Sequence, residues 1–232
     1  MDALALTVVL TSVPLILAAT GELIAEKSGV LNLGVEGMML MGAVAAFAVT
    51  SLSGNPYFGI ISGAVAGGIT AGVFAVFALG LATNQVATGL ALTIFGAGLS
   101  GLIGAPYVGG TIEGLSVLAI PFLNELPVLG SLFFKLDPLA YFSILMVGVV
   151  GFFLNNTRAG LILRAVGNNH DSAHALGYSV LQVRGGAVLF GGIMAGLAGA
   201  YLPLVLTPHW SEGMTAGRGW IALALVVFAS WM

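Results

Sequence analysis

GELIAEKSGVLNLGVEGMML, residues 21–40, sets ionisable and amide side chains inside a chain that is otherwise mostly hydrocarbon. Glu22, Glu26 and Glu36 stand here, out of nine acidic residues in the whole sequence, and Asn32 lies among leucines and valines. The surroundings decide how such a stretch must be read. Hydrophobic residues make up 59% of the 232 and charged residues 6%, against about a quarter charged in soluble domains. So few charges cannot cover the surface of a soluble fold, and the mean hydropathy of +1.10 points the same way. The chain reads as an integral membrane protein. Its 35 glycines suit transmembrane packing, where small residues let backbones approach. A net charge of −3 implies neither a nucleic-acid partner nor an acidic substrate. The absence of cysteine excludes disulfides, thiolate metal sites and cysteine nucleophiles. A start of Met-Asp, without a basic leader, argues against a cleaved signal peptide.

A spanning helix needs about 20 apolar residues. Spans are expected at 3–20, 29–52, 57–82, 86–105, 138–154 and 185–206, and a seventh begins near Gly219. The fold class is therefore all-α, a polytopic transmembrane bundle of about seven hydrophobic segments. The last is short for a hydrocarbon core of about 30 Å, so the expectation is a single transmembrane domain over 1–232 that is incomplete at its C-terminus. Arg158, Arg164 and Arg184 lie in or beside the loop 155–184, half of the six basic residues, which marks that loop as cytoplasmic. The connection 106–137 carries Glu113, Glu125 and Asp137 against Lys135 and is expected to face outward. Counting spans back puts the N-terminus outside, a parity that holds only if 29–52 crosses completely.

With the second span starting near Ser28, Glu36 would lie about 12 Å deep, and Asn32 and Glu36, four apart, would share one helix face. Ionisable groups at such depth usually face a bundle interior or a watery cavity. Gly29, Gly34 and Gly37 weaken the helix around them, which suggests an interrupted helix of the kind that exposes polar groups to a substrate near the midplane. Two readings stay open. Glu22 to Lys27 forms an interfacial loop and Asn32 and Glu36 fasten one helix to another, or Asn32 and Glu36 line a substrate pathway. Thr83, Asn84 and Gln85 separate two apolar runs, either as a tight helical hairpin or with Asn84 and Gln85 touching substrate.

SGVLNLGVEGMMLMGA resembles the N-terminal signature of permease subunits of ATP-binding-cassette importers of the ribose and branched-chain amino acid type, and is most similar to nucleoside uptake permeases. GLALTIFGAGLSGLIGAPYVG at 89–109, IPFLNELPVLGSLFF at 120–134, RAVGNNHDSAHALGYSVLQVR at 164–184 and EGMTAGRGWIALALVVF at 212–228 resemble the same group, in order. The resemblance implies a coupling helix in 155–184 that docks on a separate ATPase, with Arg164, Ala165, Gly167, Asn168, Ala173, Ala175, Leu176 and Gly177 fitting the pattern. His170 and His174 depart from it. Read locally, Asn169 or His170 caps a short helix, Asp171 sits in its first turn, and Gly177 suits its C-terminal end.

No GxxxxGK[ST] loop occurs, so ATP is expected in a partner subunit. No catalytic triad, metal cluster or cofactor motif is evident, so the chain reads as a transport subunit rather than an enzyme. The resemblance implies a multi-pass permease in the inner or plasma membrane of a prokaryote, taking up nucleosides. Its partners would be ATPase subunits, a second identical or related permease, an external solute-binding protein docking partly on 106–137, and membrane lipid. The alternatives are the same machine carrying ribose, another simple sugar or a branched-chain amino acid, and, from another class, an ion-coupled secondary transporter or channel. Trp210 is expected to anchor at an interface, or else to stack on a base. Gly63 and Gly67, Gly68 and Gly72, and Gly192 and Gly196 are expected on helix-packing faces, and Pro14 and Pro203 at kinks.

Overall fold

The computed structural model describes residues 2–119 and 135–230. The motif at 120–134 and Glu125 lie outside the described residues. Nine α-helices carry the described fold: α1 Asp2–Lys27, α2 Val35–Ser53, α3 Pro56–Ala75, α4 Gln85–Gly104, α5 Pro138–Asn156, α6 Arg158–Asn168, α7 His170–Ala175, α8 Val180–Tyr201 and α9 Arg218–Ser230. α3 and α8 each run on into a π-helical turn, Val76–Gly80 and Leu202–Leu206, the second of which holds Pro203. Six of these stretches are long and apolar enough to cross a membrane, and Arg218–Ala229 is a shorter apolar helix. The molecule is an all-α, multi-pass membrane bundle with re-entrant segments. Two-residue strands β1 Leu118–Ala119 and β2 Lys135–Leu136 pair antiparallel, Leu118 opposite Leu136, and draw the connection 106–137 back on itself.

Burial separates centre from rim. In α8, 78% of the apolar window is buried and in α2 67%, against 22% in α4. Apolarity is similar all round these helices, so glycine placement and not an apolar stripe decides which face packs inward. A Cβ at Gly67 would collide with the Gly192 carbonyl and Gly196, and one at Gly63 would lie 2.7 Å from Ala200 Cβ. The expected Gly63/Gly67 and Gly192/Gly196 faces thus meet each other, locking α3 onto α8. Gly42 on α2 and Gly21 on α1 close on α8 in the same manner.

Two segments depart from the expected spans. α1 does not stop at residue 20 but continues through Glu22 and Glu26 to Lys27, so these residues are helical and not an interfacial loop. The second helix begins at Val35, not at 29. Residues 28–34 between them run non-helically along α4: Leu31 reaches Gln85, Leu33 and Gly34 touch Gly89, and Gly37 touches Leu92 and Gly96. From Gln85 to Gly96 is about 16 Å of helix. α2 therefore starts well inside the bundle, as an interrupted helix would. A second non-helical segment, 207–217, runs the opposite way. Trp210 lies against Gly104, Glu212 against Gly101, and Gly219 against Glu36, where α9 begins.

Candidate functional site

Two helices, α2 and the shorter α9, start beside each other, and Glu36 joins them. In α2 it occupies the first turn, where a negative charge suits the exposed N–H groups and the helix dipole. Its carboxylate also reaches the start of α9. Oε1 accepts from Thr215 Oγ1 at 2.5 Å and from the Gly217 N–H at 2.8 Å, and Oε2 accepts from the Gly219 N–H at 2.7 Å. A helix N-terminus leaves amide donors without intrahelical partners, and here a carboxylate from a residue 181 positions away satisfies them. Gly219 must be glycine on steric grounds, since a Cβ would fall 2.7 Å from the Glu36 backbone. Arg218 Nη1 holds the approach by donating to the Met214 and Thr215 carbonyls at 3.2 and 3.1 Å.

Asn32 does not share a helix face with Glu36, because no helix connects them. It is fully buried in the break, where Oδ1 accepts from the Gly34 N–H at 3.0 Å and Nδ2 lies 3.5 Å from Met38 Sδ. The backbone of 28–34 lacks a helical ladder, and backbone polar groups at membrane depth need partners. Side chains supply them from two helices, α1 and α4. Gln85 Oε1 accepts from the Leu31 N–H at 3.0 Å, Glu22 Oε1 from the Asn32 N–H at 3.3 Å, and Thr93 Oγ1 donates to the Leu33 carbonyl at 3.0 Å. Glu22 is 1% exposed, and its Oε2 has no protein partner. Asn84 stays outside the break as the cap of α4, accepting from the Ala87 N–H at 3.1 Å. The candidates Asn32, Glu36 and Gln85 thus cluster on one re-entrant structure while Asn84 flanks it.

At the end of the bundle where α1 finishes, α6 and α7 form a projecting arm. Asn169 caps α7 by accepting from the Ser172 N–H at 3.0 Å, Asp171 is in the first turn, and Gly177 follows with φ +87° and its N–H on the His174 carbonyl at 2.9 Å. Ala175, Leu176 and Gly177 are exposed at the tip, whereas Ala173 is buried. Arg164, Gly167 and Asn168 face Glu26 and Lys27 across a cavity of about 530 Å³, and Ala165 shares its wall. Gly167 packs on the Lys27 carbonyl and Gly29, and Arg184 Nε donates to the Ser28 carbonyl at 3.1 Å. Among the described residues no group of three or more His, Cys, Asp or Glu could hold a metal ion.

At the opposite end two expectations change. Asp137, expected in an outward loop, is buried. It caps α5 through the Ala140 N–H at 3.0 Å and accepts from Tyr201 Oη at 2.7 Å. Trp210 is no interface anchor and has no face free for stacking. It is 2% exposed, against Gly104 and the Ala43–Val44–Phe47 cluster. Gly219 was marked from the sequence as the start of the last apolar segment, and it lies in the first turn of α9; Thr215 and Gly217 were not singled out.

Comparison with known proteins follows from this geometry. The family model described as the permease component of the branched-chain amino acid transport system matches residues 4–232. A putative glucose ABC transporter permease of Haloferax volcanii is 45% identical over 94% of the chain and 67% of its own length. A nucleoside ABC transporter permease of Lactococcus lactis is 32% identical over 95% of the chain and 73% of its own length. A guanosine ABC transporter permease of Bacillus subtilis is 30% identical over 94% of the chain and 72% of its own length. No solved structure matches.

Proposed function

Since the chain belongs to the family of branched-chain amino acid transport system permease components of ABC transporters, a family of non-catalytic membrane subunits, we propose that it forms the translocation pathway of an ATP-driven importer for a small polyhydroxylated solute. The observation that carries this is Glu36, a carboxylate in the first turn of α2 that closes the N-terminus of α9 onto that of α2 inside the bundle. Half-helices whose N-termini meet in the membrane are a recurring way to present donors to a polar cargo. In the described state those donors are taken up by Glu36, so the structure reads as a closed gate. Thr215, Gly217, Gly219, Glu36 and the re-entrant residues Asn32 and Gln85 are the groups a cargo would meet when the gate opens.

The cargo expected from sequence was a nucleoside. The 45% relative named for glucose supports a simple sugar more strongly, and a monosaccharide is the reading adopted. Nucleosides are the second reading, supported by the relatives at 32% and 30%. Both cargoes share a ring bearing adjacent hydroxyls, the chemistry that carboxylate and amide acceptors recognise. The arm 155–184 would face the cytoplasm and seat an ATPase subunit at the exposed Ala175–Gly177 tip, with Arg164, Ala165, Gly167, Asn168 and Ala173 forming its base. The connection 106–137 would face outward toward a solute-binding protein, and a second permease subunit, identical or related, would complete the pathway.

Uptake of labelled glucose and of labelled nucleosides into cells carrying the complete operon, against a matched strain lacking this gene, tests the reading. Gene-dependent uptake that hexoses compete for supports the sugar assignment. Competition by nucleosides alone moves the cargo to the second reading. Uptake that persists on ATP depletion and collapses with an uncoupler would point to an ion-coupled transporter and end the proposal.

A further inference from the structure

The re-entrant segment 28–34 begins in a clip. Ser28 and Gly29 lie between the arm itself, at Gly167 near the end of α6, and Arg184 in the first turns of α8, where the chain returns from the arm. Gly167 Cα and carbonyl lie 3.2 Å from where a Gly29 Cβ would stand, and Arg184 Nη2 lies 3.0 Å from the same point. With φ +82°, Gly29 turns the chain here from α1 into the membrane. Arg184 Nε, a charged donor, holds the Ser28 carbonyl at 3.1 Å, and hydrogen bonds from ionised donors are about twice as strong as neutral ones. From the clip inward, each tie is a named side chain on α4 or α1, namely Gln85, Glu22 and Thr93. At the inner end stands Glu36 with its bonds to Thr215, Gly217 and Gly219. Because the segment is tied at both ends, displacement of the clip must move it or break its ties.

We infer that Arg184 is a positioning residue that fastens the start of α8, where the chain returns from the arm, to the re-entrant segment beside the Gly167 contact, so that displacement of the arm reaches the Glu36 lock through residues 28–34. The inference rests on the importer reading and assigns the mechanical route within it. Loosening the clip frees the arm to respond to the ATPase without moving the lock. ATP hydrolysis then continues while transport is lost. A purely structural role for Arg184 would instead lower assembly and both activities together.

The test uses the complete complex with its ATPase and binding protein in vesicles, measuring solute moved per ATP hydrolysed. Arg184→Ala lowers that ratio about tenfold or more, the scale of one lost hydrogen bond to a charged group, while assembly and basal hydrolysis remain. Arg184→Lys, which keeps a charged donor, recovers most of it. An unchanged ratio in an assembled Arg184→Ala complex overturns the inference. If that variant does not assemble, a second measurement decides. The chain has no cysteine, and Lys27 and Leu161 line the same cavity between α1 and α6. Bridging Lys27→Cys and Leu161→Cys with a short bifunctional thiol reagent leaves transport per ATP unchanged if arm and clip move together. Loss of transport only on bridging overturns the inference. A wild-type complex whose uptake ignores ATP would overturn the importer reading itself.

Discussion

At the residue scale, Glu36 satisfies Thr215 Oγ1 and two backbone N–H groups while 7% exposed. Glu36→Ala leaves those donors buried and unmatched, and each such loss costs about 1–3 kcal/mol. The predicted result is a lower unfolding temperature of the purified protein, with the change larger than for Glu36→Gln, which keeps an acceptor oxygen. Tyr201 supplies a second check. Tyr201→Phe removes the 2.7 Å bond to buried Asp137 and is expected to destabilise by about 1.5–3 kcal/mol, the range for bonds to charged groups. Equal stability of the Phe variant would mean that Asp137 needs only its cap on α5. The importance of Glu36 was legible in the sequence because a carboxylate is rare at that depth. Its partners were not, because Thr215, Gly217 and Gly219 bind through a hydroxyl and backbone amides that any polar loop possesses. Asn32 was legible as buried and polar, but not that its amide oxygen would accept from the Gly34 N–H of its own segment.

At the element scale, the glycine faces of α3 and α8 carry a prediction with an internal control. Gly67→Ala drives a methyl into the Gly192 carbonyl and Gly196 backbone, whereas at Gly68 the nearest atom is the flexible Ile193 side chain at 3.1 Å. Overpacking typically costs about 1–3 kcal/mol, so Gly67→Ala should lower the unfolding temperature in detergent clearly and Gly68→Ala little. Equal effects at the two positions would show that the α3–α8 seam is not the close contact described. The seam was legible from small-xxx-small spacing. Helix ends were less so. Glu22 and Glu26 look like punctuation, but a helix carries a buried carboxyl without breaking when it has a backbone donor to satisfy, as Glu22 has in Asn32. Residues 30–33 look helical because Val30, Leu31 and Leu33 are apolar. Ties from Gln85, Glu22 and Thr93 satisfy their backbone without a helix, and ties from other helices leave no local pattern.

At the scale of the whole molecule, composition sufficed to place the chain in a membrane, and the arginines set an expected sidedness. Single cysteines introduced at Leu176 and Glu113 test that sidedness in intact cells. An impermeant thiol reagent should label the Glu113 position from outside and reach Leu176 only after permeabilisation. The cargo was not legible, because the matching motifs are mostly packing glycines and helix starts, whose contacts are with other parts of the chain. The central claim is that the junction of α2 and α9 at Glu36 is the gate. Uptake by the assembled complex carrying Glu36→Gln, with ATP hydrolysis and complex assembly measured alongside, tests it most directly. The account predicts intact insertion and assembly with transport reduced about tenfold or more, as for loss of one charge-assisted bond. Wild-type uptake kinetics in that variant would contradict it.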